Sequence, residues 1–376
     1  MLRTDELDYQ LPAGMIATEP ISPRDAARLM VVHDRGAGAV EHRRVSDLPE
    51  LLLAGDRLVF NTTRVLPARF VGVREDTGGK VGGLFLKQLG HGRWLAMVKA
   101  RRFRPGAPIR LFDAAGHRTG VVLSLIERGS EDESAWVVAV RDERGPIASE
   151  RTPAVLQRVG LTPLPPYILA ARRDRGLTRP DAQDRASYQT VYAGEREAGS
   201  VAAPTAGLHF TPELLTRLVQ RGIERSDTLL HVGAATFKPI ETEHVEEHPM
   251  HAEWCSMTGD AAGAIRQTRT RGGRVIAVGT TAVRTLESYA PHMEGELPPW
   301  IQTRLLIAPG YRWQVVDGLL TNFHLPRSTL LALVAAMVQG GPARVRELYA
   351  LAMDEGYRFY SYGDAMLILP DRRERR

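Results

Sequence analysis

Apolar residues fall along the chain in two textures, and each predicts a different architecture. Near the start, Arg28-Leu-Met-Val-Val-His33 and Asp56-Arg-Leu-Val-Phe-Asn61 are short, nearly continuous apolar runs, the pattern of buried strands. Between them Val45 to Leu53 predicts a helix with Ser46 as its cap. From about Ala68 to Asp142 the texture turns β-rich: Val81 to Leu86, Trp94 to Val98, Ile109 to Phe112, Val121 to Ile126 and Trp136 to Val140, divided by glycines and charged turns. Such runs predict a small β-barrel or sandwich.

Beyond Pro153 the chain crosses a proline-rich stretch, Leu161 to Tyr167, and a polar loop carrying Arg172, Arg173, Arg175 and Arg179. Helix and strand then alternate. Thr211 caps a helix Pro212 to Gly222, a second helix spans Gly259 to Arg271, and a buried strand Arg274 to Val278 runs through Gly279-Thr-Thr281 into a helix ending at Tyr289. A last pair, Ser328 to Val338 and Pro342 to Glu355, leads to Tyr357-Arg-Phe-Tyr-Ser-Tyr-Gly-Asp364, and no internal repeat is present. The expected fold is mixed α/β: a larger discontinuous domain from residues 1–67 and 151–376, with a smaller β-barrel-like domain, 68–150, inserted in the chain.

Composition narrows the class. The formal charge is +5 with a pI near 9.5, an excess modest enough to permit a nucleic-acid partner without demanding one. Arginine carries nearly all of it, since the lysines are Lys80, Lys87, Lys99 and Lys238. Guanidinium forks suit phosphate and base recognition, although a GC-rich genome would have the same effect. The single cysteine, Cys255, excludes an intrachain disulfide and fits a reducing compartment. With no signal-peptide core and no membrane-length apolar run, a cytoplasmic protein without a membrane partner is expected.

Several segments can carry chemistry. Val201-Ala-Ala-Pro-Thr-Ala-Gly-Leu-His-Phe210 sets small residues, which let backbone approach a ligand, beside a histidine, and Leu230-His-Val-Gly233 repeats the arrangement. The turn Gly279-Thr280-Thr281 offers hydroxyls and free amides at a helix start, as a plain capped helix or as an anion site; it is neither a Walker loop nor a dinucleotide fingerprint. Arg284 and Glu287 lie three apart, where they can pair. His244, His248, His251 and Glu253 have ligand-like spacing, but Pro249 breaks the helix that would align them, so hydrogen-bonding histidines and no metal are expected. Asn61-Thr-Thr-Arg-Val-Leu-Pro-Ala-Arg69 follows a buried strand, either as binding residues or as a tight turn with a salt-bridged Arg64. The run from Asp317 to Thr329 gathers a carboxylate, an amide, a histidine and a cap ahead of a helix.

Taken in order, these pieces resemble one family, the S-adenosylmethionine:tRNA ribosyltransferase-isomerases of queuosine biosynthesis. The resemblance rests on Phe60-Asn61 with Thr63-Arg-Val65 and Pro67-Ala-Arg69, Pro163 to Ile168, Tyr188 to Ala193, Gly199 to Phe210, and Leu230 to Gly233. It continues through Val278-Gly-Thr-Thr281 with Val283-Arg284, Thr321 to Pro326 with Ser328-Thr-Leu330, and Tyr357 to Met366. It spans the chain and is weakest in the β-rich insertion. Four positions depart from the family pattern: Gly82 and Arg304 stand where an acid is usual, Ala235 where a glycine is, and Thr62 where asparagine is frequent.

The resemblance implies a catalytic α/β domain that uses S-adenosylmethionine as a ribosyl donor, with 7-aminomethyl-7-deazaguanine at the tRNA wobble position as acceptor, in a monomer. The product would be an epoxycyclopentanediol on that base, with adenine and methionine released. Such chemistry needs a base for the C5′ proton beside the sulfonium, a donor for the leaving adenine and a grip on the ribose. His209, His231 and His324 are the candidate proton carriers, and Asp317 and Asp364 candidate orienting or ribose-gripping groups. Thr205, Gly207, Gly279, Thr280, Thr281, Arg284 and Asn322 are the candidate S-adenosylmethionine contacts. For tRNA the candidates are Asn61, Arg64, Arg69, Lys99, Arg101, Arg102 and Arg104, then Arg172, Arg173 and Arg175, with Tyr167 or Tyr188 to stack on a splayed base. Two other readings fit the same residues: a relative with a non-tRNA acceptor, motivated by Gly82 and Arg304, and a non-catalytic RNA-binding homologue.

Overall fold

In the computed structural model, which describes residues 1–33, 40–99, 104–129, 135–194, 198–233 and 239–370, two sheets organise the chain. The larger is a mixed nine-stranded sheet. Its order is Ile301–Thr303, Glu253–Met257, Glu224–Leu230, Arg57–Asn61, Val275–Val278, Gly318–Asn322, Ala365–Leu369, Arg28–His33 and Val40–Arg44. The four strands from Glu224–Leu230 to Gly318–Asn322 run parallel, and their neighbours on either side, Glu253–Met257 and Ala365–Leu369, run against them.

Burial on both faces explains the apolar runs. Val59, Val275, Ala277 and Leu319 pack with Ile265, Val283, Leu286 and Leu333 from the helices Gly259–Thr270, Thr280–Tyr289 and Thr329–Met337. The alternate residues Leu58, Phe60, Ile276 and Leu320 meet Leu48, Leu214 and Leu218 on the opposite face. Local signals end these elements where the sequence predicts. Thr211 Oγ1 accepts from Leu214 N at 3.1 Å, and Ser328 Oγ from Leu331 N at 3.2 Å. At the first predicted helix the structure differs: the segment is a 3₁₀ turn, Val45–Asp47, followed by a single helical turn, Leu48–Leu51, with Asp47 rather than Ser46 accepting from the backbone, at Arg44 N.

The smaller sheet closes on itself, as the expected β-barrel. Six antiparallel strands, Arg69–Arg74, Lys80–Gly90, Arg93–Lys99, Pro108–Phe112, Arg118–Arg128 and Ala135–Asp142, form it, with the last pairing to both Arg93–Lys99 and Arg118–Arg128. Closure leaves no long unpaired edge. Its core of Phe70, Trp94, Leu111, Leu123 and Val138 also takes Val155, Leu156 and Val159 from the helix Thr152–Val159, and Val201 from the segment after residue 198. The barrel is thereby packed onto the elements that carry the site.

Candidate active site

Parallel strands put their carboxyl ends on one side of the sheet, and the loops leaving those ends converge. The chain returns on one side of Arg57–Asn61 as Glu224–Leu230 and on the other as Val275–Val278, so a crevice opens where the crossovers diverge. His231 follows one strand, Thr63 a second, Gly279-Thr280-Thr281 a third and Phe323-His324 the fourth. Gly279 holds φ of 90°, which lets the strand turn directly into the helix Thr280–Tyr289, and no side chain caps that helix.

The crevice is lined by Ala203 to Ala206, Gly279 to Thr281 and Thr321 to Leu325, with Tyr167 and Tyr360. The small residues of the Val201–Phe210 segment thus serve two ends: Ala203, Pro204, Thr205 and Ala206 form wall, while Ala202, Leu208 and Phe210 are buried in core clusters. Two buried polar atoms at the crevice, Asn322 Oδ1 and Thr281 Oγ1, have no hydrogen-bond partner. Asn322 Nδ2 lies 3.2 Å from His209 Nε2 and donates to Tyr360 O at 3.2 Å. Tyr360 is held at φ of 71°, a conformation disfavoured for a residue with a side chain, beside this contact. His324 Nε2 is 2.8 Å from Thr321 Oγ1.

Beside the crevice, sharing Val232 and Leu330 as wall, lies a groove of about 680 Å³ bounded by both sheets. The barrel contributes Leu86, Lys87 and Leu95; the larger domain contributes His231, Glu253, Arg284 and Arg304. His231 Nδ1 is 3.1 Å from Thr63 Oγ1, and its ring stacks on Trp300 with centroids 5.6 Å apart. Gly199 makes room for that ring, since a Cβ there would meet it at 2.6 Å. Arg284 is buried, bonded to Glu253 and to Leu305 O, yet Nη2 has no partner.

Burial sets the charge states. Desolvation, with the Arg358 and Arg24 cations adding to it, pushes His209 down to about 3, and desolvation alone pushes His324 down to about 3. Both are neutral at physiological pH. His231, less enclosed, is also lowered by burial. Burial lowers Arg284 to about 10, which leaves it a cation.

The structure does not bring together every residue the sequence singled out. Asp317 precedes the strand Gly318–Asn322, so it lies at the amino edge of the sheet, where it accepts from Val275 N at 2.8 Å, away from the three histidines. Asp364 is at the correct edge, but its oxygens accept from Arg28 N and Arg358 N, at 3.0 and 2.8 Å, and it acts as a backbone clasp. The space left by Gly207 is filled by the Tyr192 hydroxyl rather than by a ligand. Asn61 is fully buried and bonds both Leu230 N and Leu230 O, which positions the start of the His231 loop and removes it from an RNA surface.

Arg64 donates to the carbonyls of Ala193 and Gly194, and Arg69 to that of Thr162. Arg172 is buried on Asp184, Arg173 pairs with Asp174, Arg175 donates to Ala13 O, and Tyr188 is 1% exposed, so it cannot stack on a base. Lys99 is exposed, directly across the ladder from Gly82, and Arg104 lies 3.5 Å from Asp76. Thr62 is buried and bonds Thr228 O at 3.3 Å. Arg101, Arg102 and Ala235 lie outside the described residues. Arg284 pairs with Glu253, not Glu287, whose carboxylate instead takes Tyr311 Oη and the amides of Gln314, Val315 and Val316. His244 pairs with Glu247, while His248 and His251 line the groove. Trp254, Trp300 and Tyr360 were not singled out by the sequence, and Glu253 was weighed there only as a metal ligand; the register of strands far apart in the chain brings Glu253 and Trp254 to the site.

Fold and site define an α/β protein with a built-in barrel and a polar crevice beside a wide cationic groove. The chain belongs to the family of queuosine biosynthesis proteins, whose model matches residues 4–368. It is 47% identical over 372 residues, 98% of this chain and 100% of the relative, to the S-adenosylmethionine:tRNA ribosyltransferase-isomerase of Symbiobacterium thermophilum. It is 48% identical over 370 residues, 98% of this chain and 96% of the relative, to the protein of the same name from Gloeobacter violaceus. Among solved structures it is similar to S-adenosylmethionine tRNA ribosyltransferase from Thermotoga maritima, at 31% identity and a TM-score of 0.50, covering 97% of this chain and 100% of that one.

Proposed function

We propose that this chain transfers and isomerises the ribosyl group of S-adenosylmethionine onto 7-aminomethyl-7-deazaguanine at the wobble position of tRNA, giving epoxyqueuosine-tRNA with release of adenine and methionine. Family membership supports the reaction class. The observation that carries the assignment of this site is the set of unpartnered atoms, Asn322 Oδ1, Thr281 Oγ1 and Arg284 Nη2, at the carboxyl ends of the parallel strands. Left without a ligand, each such atom costs about 1–3 kcal/mol. A nucleoside with ribose hydroxyls and a carboxylate-bearing tail supplies partners for all of them.

In this reading Asn322 and Thr281 grip the nucleoside, with Thr205, Gly279 and Thr280 as its wall, and the uncapped amides of Thr280–Tyr289 and the Arg284 cation hold the methionine carboxylate. His231 is the base, because it borders the groove and is the least desolvated of the three imidazoles. It takes the C5′ proton made acidic by the adjacent sulfonium. The sugar then opens and the bond to adenine breaks as adenine takes up a proton; the aminomethyl nitrogen adds to sugar carbon and loses its proton, the carbocycle closes, and the resulting alkoxide forms the epoxide as it expels methionine. His209 and His324, held neutral, donate or accept hydrogen bonds at the departing adenine and the ribose. Lys99, exposed on the barrel, contacts phosphate, and Arg101 and Arg102, which follow it in the sequence, are candidates to do the same. The protein works in the cytoplasm as a monomer; no helix among the described residues is long and apolar enough to cross a membrane.

Incubation with S-adenosylmethionine and precursor tRNA tests the reading. Free adenine together with modified nucleoside is the expected result. Adenine without modified tRNA would move the assignment to another acceptor, and methyl transfer or an intact nucleoside beside bound RNA would overturn it.

A further inference from the structure

The groove is lined by one indole, Trp254, and a second, Trp300, stacks on the groove residue His231; no step above uses either. Trp254 and Trp300 are 50% and 42% exposed, whereas Trp94 and Trp136 are buried at 1% and 7%. Cys255 pairs with both Leu230 and Ile301, so alternation along these strands brings His231, Trp254 and Trp300 to the same face of the sheet. His231 N donates to Trp254 O at 3.0 Å, and the His231 ring already lies on Trp300 with planes 23° apart. Trp254 shares the groove with Lys87, Arg284 and Arg304, and the one carboxylate among its described lining residues, Glu253, is ion-paired to Arg284. The surface is therefore aromatic and cationic together, which suits a polyanion that presents flat rings.

We propose that Trp254 and Trp300 are a stacking platform for an unpaired RNA base next to the acceptor, with Arg304 on the adjoining phosphate. The proposal rests on the ribosyl-transfer reading and names how the acceptor strand is held. Stacking on indole is tolerant of base identity, so the platform fixes the strand's path and leaves selection to the acceptor's own pocket. It also gives the exposed groove residue Arg304 a favourable partner.

The test uses the whole protein and an anticodon stem-loop of the acceptor tRNA. Binding quenches the exposed indoles of the wild type, and Trp254→Ala loses part of that quench. Trp254→Ala and Trp300→Ala each raise the KM for RNA roughly tenfold to a hundredfold, from the usual strength of base–aromatic stacking. The KM for S-adenosylmethionine stays at its wild-type value, and Trp300→Phe restores most of the RNA affinity. If wild-type protein releases adenine and binds the stem-loop but both alanine variants match it in KM and quench, the platform is wrong while the ribosyl-transfer reading stands. A loss confined to S-adenosylmethionine binding, or a change of oligomeric state with RNA affinity intact, also overturns it by assigning the indoles to the donor or to another protein surface.

Discussion

The two ends of the same parallel strands treat buried polarity in opposite ways. At the amino ends the charges are matched: Arg274 Nε donates to Asp56 Oδ1 at 3.0 Å, Asp56 Oδ2 also accepts from Leu53 N, and Arg57 reaches Thr268, Ser226 and Glu224. At the carboxyl ends Asn322 Oδ1, Thr281 Oγ1 and Arg284 Nη2 have no partner, and two imidazoles are held neutral without solvent. One edge has its hydrogen bonds completed within the protein and serves stability. The other keeps polar atoms open, which is what a ligand site requires.

Mutations at the two edges should therefore separate chemistry from stability. The largest effect is at the carboxyl edge: His231→Ala slows adenine release roughly 10²- to 10⁴-fold, the usual contribution of a positioned base, while the thermal midpoint stays close to wild type. A wild-type rate would remove His231 from the mechanism. At the amino edge, Asp56→Ala leaves Arg274 buried without its carboxylate and destabilises by about 3–5 kcal/mol in urea titration, with adenine release per folded molecule unchanged. If that variant instead lost activity at full stability, the division between edges would fail.

Acid provides a third probe. His209 and His324 are lowered by burial to about 3, so the folded state resists protonation that the unfolded chain accepts near 6.5. Their contribution is complete above pH 6.5 and is lost as pH falls toward 3, at about 1.4 kcal/mol per pH unit for each histidine. Denaturant titrations across that range should show the slope, and His324→Gln should reduce it. The limb of the pH–rate profile set by His231, which must be neutral to act, should be displaced by burial to lower pH than an ordinary imidazole's 6.5. The smallest effect is the most diagnostic. Thr281→Val removes a hydroxyl that has no partner in the free protein, so stability is unchanged or slightly raised, while affinity for S-adenosylmethionine falls by about 0.5–1.5 kcal/mol in calorimetry.

Much of the architecture was legible in the chain. The continuous apolar run at Val275–Val278 could only be a strand covered on both faces, and the runs between Ala68 and Asp142 matched the alternation of a barrel wall. The strand-turn-helix at Gly279 and the caps at Thr211 and Ser328 were visible because they depend on residues within a few positions of one another. The site was less legible. Asp317 and Asp364 lie in equally suggestive motifs, yet one stands at the wrong end of its strand and the other is committed to backbone amides. Arg284 has an acid within one helical turn but pairs with Glu253 from a strand 31 residues away.

By itself the sequence determined the barrel insertion, the strand-turn-helix at Gly279, the caps at Thr211 and Ser328 and the family, because periodicity, capping and turn chemistry are short-range and survive without coordinates. Which polar groups are satisfied and which stay open was decided only by the tertiary structure. Hydrogen bonding and desolvation depend on distances through space, and here those distances are set by strand direction and register between segments far apart in the chain.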